Sequence, residues 1–492
     1  MPDLLGHGLR DAQAEGSELL SSSDCLISAT EIRLSEIIAA MSVALDVTTG
    51  QPAGHSMRSA LIGMRLAQEL RLDTADRSAL YYALLLKDLG CSSNAAKMAY
   101  LFGADDRTLK LHSKTIDWTQ AAQKLKYAWQ QCAPGGNTFD KLLRMAALMR
   151  SGPKGERQLV ELRCERGADI ARMLQFPQGT SDAIRALDEH WNGRGQPYGI
   201  RGEQIPLLGR ILCLAQTVEV FFTTYGQAAA IEVAHVRRGR WFDPRLVDAL
   251  SAFRGETAFW NRLRSDDLLA ELAQWEPRDA VLMADDACID RVAGAFAKVV
   301  DAKSPWTYLH STNVAEIAVG IARQCGCDVR LQRDIRRAGL LHDIGKLGVS
   351  SLILDKPGKP TDEEFAEIRR HPDYSQQILQ QVGAFQRLAD VASAHHERLD
   401  GRGYHRQLGD TQMPWVARVL AVADVCEALG AKRPYRDALP WERVREIMSK
   451  DLHSGFDPDC FAALERFQEQ NLLPSRVEAQ LQAMDRMMTE LV

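Results

Sequence analysis

The sequence predicts an all-α protein made of two tandem helical bundles. Three observations lead to this prediction: apolar residues recur at helical spacing, strand-like alternation is weak throughout, and the chain contains an internal repeat. Helical spacing is clear at Val314, Ile317 and Ile321, where apolar side chains return every three or four residues. A length of 492 residues leaves room for about two to four domains.

The internal repeat joins ordered motifs at matched spacing. His55 stands 32 residues before Lys87, and His310 stands 32 residues before His342. Further pairs follow in the same order: Glu189-His190 with His395-His396, residues 193–195 with residues 401–403, and residues 242–244 with residues 456–458. The first copy is longer because about 49 extra residues are inserted between Gly90 and Cys164.

These motifs divide the chain into five predicted segments. They are a poorly ordered N-terminus at 1–28, a first copy of the repeat at 29–274, a junction at 275–285, a second copy at 286–468 and an amphipathic C-terminal helix at 469–492. The second copy is predicted to be catalytic, and the first copy to have a regulatory or packing role.

Composition and charge exclude several classes of protein. Lysine and arginine total 60 against 65 acidic residues, so the net charge of −5 supplies no overall attraction to DNA, RNA or anionic membranes. No apolar run reaches the 18 residues of a membrane span, and the N-terminus lacks the apolar segment of a signal peptide. The ten cysteines include no CxxC pair, which argues against a disulfide framework or a zinc site. We therefore expect a cytoplasmic protein.

Candidate metal ligands are concentrated in the second copy. Five histidines and two aspartates follow one another there: His310, His342, Asp343, His371, His395, His396 and Asp424. Imidazole and carboxylate ligands suit first-row transition metals. Seven ligands exceed one tetrahedral site but suit two metals that share a bridging carboxylate. Because such a pair lowers the pKa of a bridging water and binds phosphoryl oxygens, the set predicts phosphoester hydrolysis.

Three motifs of the second copy carry a family resemblance: LLHDIGKLGV at 340–349, HHERLDGRGYH at 395–405 and ADVCEALGAKRPYR at 423–436. Over about 170 residues, 301–467, the chain resembles the HD-GYP branch of the HD phosphohydrolase superfamily. The resemblance implies HD-type helical bundles and hydrolysis of the bacterial second messenger cyclic di-GMP to the linear dinucleotide or GMP. It also implies two divalent transition metal ions, iron or manganese, and attack by the water that bridges them.

The resemblance further implies a role for individual residues. One metal ion would be held by His310, His342, Asp343 and Asp424. The other would be held by Asp343, His371, His395 and His396, so that Asp343 bridges the ions as a catalytic residue. Lys346 would act in catalysis by neutralising a phosphate oxygen. The substrate would be bound by Lys346, Arg433, Arg436, Gly403 and Tyr404.

The second copy departs from the family pattern at two positions. His405 stands where the family loop usually has proline, so the loop geometry is expected to differ while the metal ligands are kept. Trp306 occupies the position of a glutamate that supports a third metal in some members. Two metals are therefore expected.

The first copy has lost most of the implied ligands. Lys87 replaces the motif histidine, Glu189 replaces the first of the paired histidines, and Gln216 stands where the second copy has Asp424. A dinuclear site is not expected there. This copy is predicted to pack, to regulate, or to mediate a homodimer.

Two alternatives to cyclic di-GMP hydrolysis stay open. One is hydrolysis of cyclic GMP-AMP or another nucleotide, because ligand spacing sets the reaction class and not the base. The other is a catalytically idle scaffold that binds a nucleotide, which the altered loop at His405 keeps open.

Overall fold

The computed structural model describes residues 26–27, 32–433 and 436–470. Within these ranges the chain folds into helices joined by turns and forms no β-strand, so the predicted all-α class is confirmed. Of the segment predicted at 1–28 only residues 26–27 are described, and of the C-terminal helix predicted at 469–492 only residues 469–470; the rest of both lies outside the described residues.

The first copy contains helices α1 to α13. In chain order they are Leu34–Thr48, His55–Glu69, Thr74–Leu86, Ala95–Phe102, Asp106–Ser113, Ala121–Gln131, Thr138–Met173, Gln178–Arg185, Leu207–Tyr225, Gln227–Val236, Pro244–Ala252, Thr257–Arg262 and Leu268–Ala273. A 3₁₀ turn spans Gly202–Gln204. Helix α7 is interrupted at Gly152, where φ is 57°. The next residue is Pro153, which has no backbone N–H and therefore cannot donate to the hydrogen-bond ladder of the preceding turn.

The second copy contains helices α14 to α23. In chain order they are Asp286–Asp301, His310–Gln324, Val329–Leu341, Ser351–Leu354, Asp362–Ile368, His371–Leu379, Gln386–Ala392, Trp415–Gly430, Trp441–Ser449 and Pro458–Glu469. Four 3₁₀ turns lie at Arg278–Ala280, Pro305–Thr307, Ile344–Gly348 and Gly383–Phe385. The first of these falls within the predicted junction, and the domain boundaries themselves stay a prediction.

Corresponding helices begin at corresponding residues of the repeat. Helix α2 begins at His55 and helix α15 at His310. In each copy a buried aspartate, Asp46 or Asp301, accepts hydrogen bonds from the backbone N and the Oγ of the serine that follows this histidine. The repeat seen in the sequence is therefore also a repeat of local structure.

Both copies contribute to one continuous apolar core. Helices α2, α3 and α9 pack together in the first copy, and α15, α16 and α21 pack together in the second. Helix α1 of the first copy also packs on the Ile344–Gly348 turn and on α19 of the second copy. The first copy thus lies directly against the turn that follows His342-Asp343.

One helix of the described residues, α9 at Leu207–Tyr225, is long and apolar enough to cross a membrane by length and composition. In the fold, 67% of its apolar window is buried. It packs against α2, α8 and α10, as a core helix does.

Candidate metal centre

The seven predicted ligands come together at one place in the second copy. His310 and His371 are the first residues of α15 and α19, Asp424 lies within α21, and the two adjacent pairs follow α16 and α20. All are buried except His396, whose side chain is 23% exposed. The ends of four helices and the middle of α21 therefore deliver one set of imidazoles and carboxylates.

Asp343 lies at the middle of this set. Its Oδ2 is 3.1 Å from Nε2 of His310 and 3.3 Å from Nε2 of His342. Its Oδ1 is 3.2 Å from Nε2 of His371 and 3.7 Å from Nε2 of His395. The two oxygens of one carboxylate thus face two different pairs of histidines.

Asp424 closes the side of the cluster that faces His310. Its Oδ1 lies 3.3 Å from Nε2 of His310 and 3.8 Å from Nε2 of His342, and its Oδ2 lies 3.7 Å from Nδ1 of His396. On the other side, Nε2 of His371 is 3.1 Å from Nε2 of His395. Groups of three ligand atoms within 4.8 Å of one another occur on both sides.

Hydrogen bonds at Nδ1 fix the orientation and the tautomer of four of the histidine rings. His342, His371 and His395 each place Nδ1 2.7 Å from the backbone carbonyl three residues earlier. Because a carbonyl only accepts, each Nδ1 carries the proton and Nε2 keeps its lone pair for the site. In His310 the partner of Nδ1 is instead the buried carboxylate of Glu427, at 2.6 Å.

Several atoms of this cluster fit a bound cation. Nε2 of His310, Nε2 of His342 and Oδ1 of Asp343 are buried and have no hydrogen-bond partner. Buried polar atoms normally have one. Burial opposes ionisation of Asp343, but the positive charge around it, including that of Lys346, outweighs burial and holds its pKa well below the usual value. Two ionised carboxylates and inward-facing imidazole nitrogens are a donor set for divalent transition metals.

Lys346 and Arg433 also lie at this centre. Nζ of Lys346 is 2.5 Å from Oδ2 of Asp343, and the Lys346 side chain is 17% exposed, against 1% for Asp343. Arg433 donates to the backbone carbonyl of Trp306 at 3.0 Å and lies 3.5 Å from Glu427.

Arg436 is placed differently from Arg433. Its guanidinium donates to the backbone carbonyls of Ala428, Leu429 and Asp437 at 2.8 to 2.9 Å, which caps the C-terminal end of α21. In this conformation both terminal nitrogens face carbonyl oxygens. Phosphate binding by Arg436 stays a prediction.

The predicted loop residues lie at the rim. The ring of Tyr404 is 4.8 Å from the ring of His396, and the guanidinium of Arg369 lies 5.2 Å from the Tyr404 ring centre. A Cβ on Gly403 would overlap the backbone of Glu397, so only glycine fits there.

Two residues at the site were missed by the sequence analysis. Glu427 accepts from both His310 and Asn313, and it lies one helical turn after Asp424 on the same face of α21. That spacing is a usable sequence signal. Arg369, which lies over Tyr404, had no such signal.

The chain is similar to known proteins over most of its length. The model of the HD domain family matches residues 149–246 and 295–460. The chain is 40% identical to a 3'3'-cGAMP-specific phosphodiesterase, number 3, of Vibrio cholerae over 90% of this chain and 95% of that protein. This chain belongs to the HD domain family, in its HD-GYP branch.

Other similarities to HD-GYP proteins cover different shares of the chain. A crystal structure of a cyclic GMP-AMP specific phosphodiesterase of V. cholerae covers 90% of this chain and 99% of its own, with 36% identity and a TM-score of 0.62. A cyclic di-GMP phosphodiesterase of Pseudomonas aeruginosa is 42% identical over 32% of this chain and 38% of its own length. The similarity to the V. cholerae crystal structure extends over both copies of the repeat.

The structure corrects the register assumed for the first HD-GYP copy. Glu189 accepts from the backbone N of Tyr198, nine residues later, just as Glu397 accepts from the backbone N of Arg406. Glu189 therefore corresponds to Glu397, and the interpretation that it replaces His395 was wrong. The paired histidines correspond instead to Leu187 and Asp188, because Glu189 precedes Gly193 by four residues just as Glu397 precedes Gly401.

The counterpart of His371 in the first copy is Arg163. A Cβ on Gly345 would meet the backbone O of His371, and a Cβ on Gly90 would meet the backbone O of Arg163. The same close approach of a glycine turn to a helix occurs in both copies, so the two helix residues occupy equivalent positions. An arginine thus replaces a predicted metal ligand.

Protein cations surround the aspartate of the first copy. Nζ of Lys87 is 2.5 Å from Oδ2 of Asp88, and Nζ of Lys114 is 3.4 Å from Oδ1 of Asp88 and 3.1 Å from Nε2 of His55. Burial opposes ionisation of Asp88, but Lys114 and Lys87 outweigh it and hold its pKa well below the usual value. Lysine ammonium groups therefore balance the buried charge that metal ions would balance in the second copy.

Gly345→Ala is expected to damage the metal centre through packing alone. The new methyl group would overlap the backbone of His371 and Ser375, so α19 must move away from Asp343. We expect the free energy of unfolding to fall by about 1–3 kcal/mol and turnover to fall roughly 100-fold. Urea titration and a rate assay measure both. Gly358→Ala is the control, since nothing lies within 4 Å of its Cβ position, and equal effects of the two changes would contradict this packing account.

Proposed function

We propose that this protein is a metal-dependent phosphodiesterase that hydrolyses a cyclic dinucleotide. The observation that carries the proposal is the position of Asp343, whose two oxygens face two separate pairs of histidines. A carboxylate in this position suits the bridge between two metal ions. Sites with two metal ions commonly catalyse the hydrolysis of phosphate esters.

In this proposal each ion has its own ligands besides Asp343. One ion would be held by His310, His342 and Asp424, and the other by His371, His395 and His396. When bound, two divalent ions supply Lewis-acid charge and lower the pKa of the water between them. Iron or manganese is proposed because the family resemblance implies them, and imidazole with carboxylate suits both.

The chain's own residues have separate tasks in the reaction. The backbone carbonyls that face Nδ1 hold three of the rings in one tautomer, and Glu427 orients His310 through its Nδ1. Lys346, which contacts Asp343 and is partly exposed, is proposed to neutralise a non-bridging phosphate oxygen. Arg433 is proposed to bind a second phosphate group with its remaining donors.

The preferred substrate is proposed to be 3'3'-cyclic GMP-AMP. This choice is supported by the relative specific for that nucleotide, which shares both copies of the repeat and not the second copy alone. Cyclic di-GMP, the substrate implied by the motifs, is the second candidate because a cyclic di-GMP phosphodiesterase is 42% identical over 164 residues.

A side-by-side rate assay tests this proposal. The purified full chain is incubated with 3'3'-cyclic GMP-AMP, cyclic di-GMP and p-nitrophenyl phosphate, and products are separated by chromatography. We expect both cyclic dinucleotides to be cleaved, cyclic GMP-AMP with at least about tenfold higher kcat/KM, a difference of roughly 1.4 kcal/mol in transition-state binding. Faster cleavage of cyclic di-GMP would reverse the substrate order. Binding of metal and nucleotide with no cleavage would favour the idle scaffold.

The first copy is proposed to support the second and not to catalyse. Lysine and arginine occupy the places of predicted ligands there, and its helices α1 and α5 contact the second copy next to the Ile344–Gly348 turn. A homodimer through this copy stays a prediction.

A further inference from the structure

Helix α5 of the first copy inserts a buried carboxylate into the second copy. Asp106, the first residue of α5, is 0% exposed. Its Oδ2 accepts from Nζ of Lys303 at 2.9 Å and from Nζ of Lys110 at 3.0 Å, and its Oδ1 accepts from the backbone N of Ser351 at 3.0 Å. Lys303 and Ser351 belong to the second copy, so this cluster crosses between the copies.

Two residues next to or paired with Asp106 also contact the Ile344–Gly348 turn, which contains Lys346. Arg107, next to Asp106, donates to the backbone carbonyl of Gly348, the last residue of the turn. Lys303 donates to the carbonyl of Leu347 at 3.4 Å. The end of the turn is therefore held by Arg107 and by Lys303, the ion-pair partner of Asp106, directly after the residue Lys346 that contacts Asp343.

The charges of Asp106, Lys303 and Lys110 restrict how α5 can sit against the second copy. Burial opposes ionisation of Asp106, but Lys303 and Lys110 outweigh it and hold its pKa well below the usual value. A buried ion pair of this kind loses its compensation when either partner moves, because neither charge can then reach water. The turn is thus fixed to α5 more strictly than apolar packing alone would fix it.

The far end of α5 reaches the centre of the first copy. Lys114 follows the last residue of this helix, and its Nζ contacts Asp88 and His55. One nine-residue segment, 106–114, therefore begins at the turn of the second copy and ends in the cation-filled centre of the first.

We infer that Asp106 is a positioning residue for the reaction. It holds the Ile344–Gly348 turn so that Lys346 and Asp343 keep their mutual orientation, and the centre of the first copy holds α5 in place through Lys114. This inference rests on the proposed function for its catalytic consequence. The structural part, a turn held by α5, stands without any substrate.

Hydrogen–deuterium exchange and kinetics on the full chain test the inference. The test variant is Asp106→Asn, and the matched control is Asp243→Asn, which also removes a buried charge but pairs with Arg210 inside the first copy. We expect exchange in the peptide 344–352 to become at least about tenfold faster in Asp106→Asn and to stay unchanged in the control. We also expect kcat to fall about tenfold while KM changes less than about twofold, because Asp106 touches neither ligands nor substrate.

A second variant protects the test against simple misfolding. Asp106→Asn combined with Lys303→Met and Lys110→Met removes all three charges of the cluster, so no ion of the cluster is left uncompensated in the interior. This triple variant is expected to stay close to wild-type stability and still show the faster exchange and the lower kcat. Unchanged exchange at 344–352 in both variants would overturn the inference. If the wild type cleaves no cyclic dinucleotide, the proposed function fails, while the exchange result still decides whether α5 holds the turn.

Discussion

Asp343→Ala is expected to abolish turnover and to empty both metal positions. Its two oxygens face two histidine pairs, so the change removes one ligand from each proposed ion at once. It also leaves Lys346 without its partner at 2.5 Å. We expect kcat to fall at least about a thousandfold, since the residues of a catalytic unit act together and not additively. Rate assays with elemental analysis of the same samples measure both effects.

The control for this change is Asp362→Ala, at the exposed start of α18 in the same copy. It is expected to keep both the metal content and the rate of the wild type. Retained hydrolysis in Asp343→Ala would contradict the proposed role of Asp343, and loss in both variants would show that the assay reports general damage.

Lys87→Met is expected to destabilise the protein without touching the catalytic centre. The Lys87 side chain is fully buried against the fully buried Asp88, and removal of one partner leaves a buried charge short of compensation. We expect the free energy of unfolding to fall by about 3–5 kcal/mol, measured by urea titration. Adding Asp88→Asn to this variant should recover part of the loss, because the remaining charge is then that of Lys114, whose side chain is 12% exposed.

An exposed ion pair of the first copy supplies the comparison. Arg238 pairs with Asp248 at 2.9 Å, but both side chains are largely in water. Arg238→Met should therefore change the free energy of unfolding by less than about 1 kcal/mol. If Lys87→Met were as mild as Arg238→Met, lysine would not be balancing buried charge in the first copy.

Most of the fold and the ligand set follow from patterns that are local in the sequence. Helical spacing and the repeat predict the all-α class, and the ordered histidines predict which side chains meet. The ligand set could be predicted from the sequence because a ligand at a helix end, such as His310 or His371, is positioned by its own helix. The support of His310 by Glu427 also has a local signal, the turn of helix that separates Glu427 from Asp424.

The features that sequence reasoning missed depend on distant contacts. Arg163 takes the place of His371 only because Gly90 approaches its backbone across the long insertion. The register of Glu189 is an exception, because its four-residue distance to Gly193 equals that of Glu397 to Gly401 and is a local sequence signal. The pairing of Asp106 with Lys303 spans 197 residues and has no counterpart in local pattern.

The most direct test of the central claim is metal analysis of anaerobically purified full chain, coupled to a product assay with both cyclic dinucleotides, for the wild type and for His342→Ala. The account predicts about two divalent ions per chain and cleavage by the wild type, with both reduced in the variant. The buried Nε2 of His342 has no hydrogen-bond partner, so the variant removes one nitrogen that is free to bind metal, together with the Nδ1 bond to Gly339. A wild type that holds metal and cleaves neither nucleotide, or a variant that cleaves them at the wild-type rate, would contradict the account.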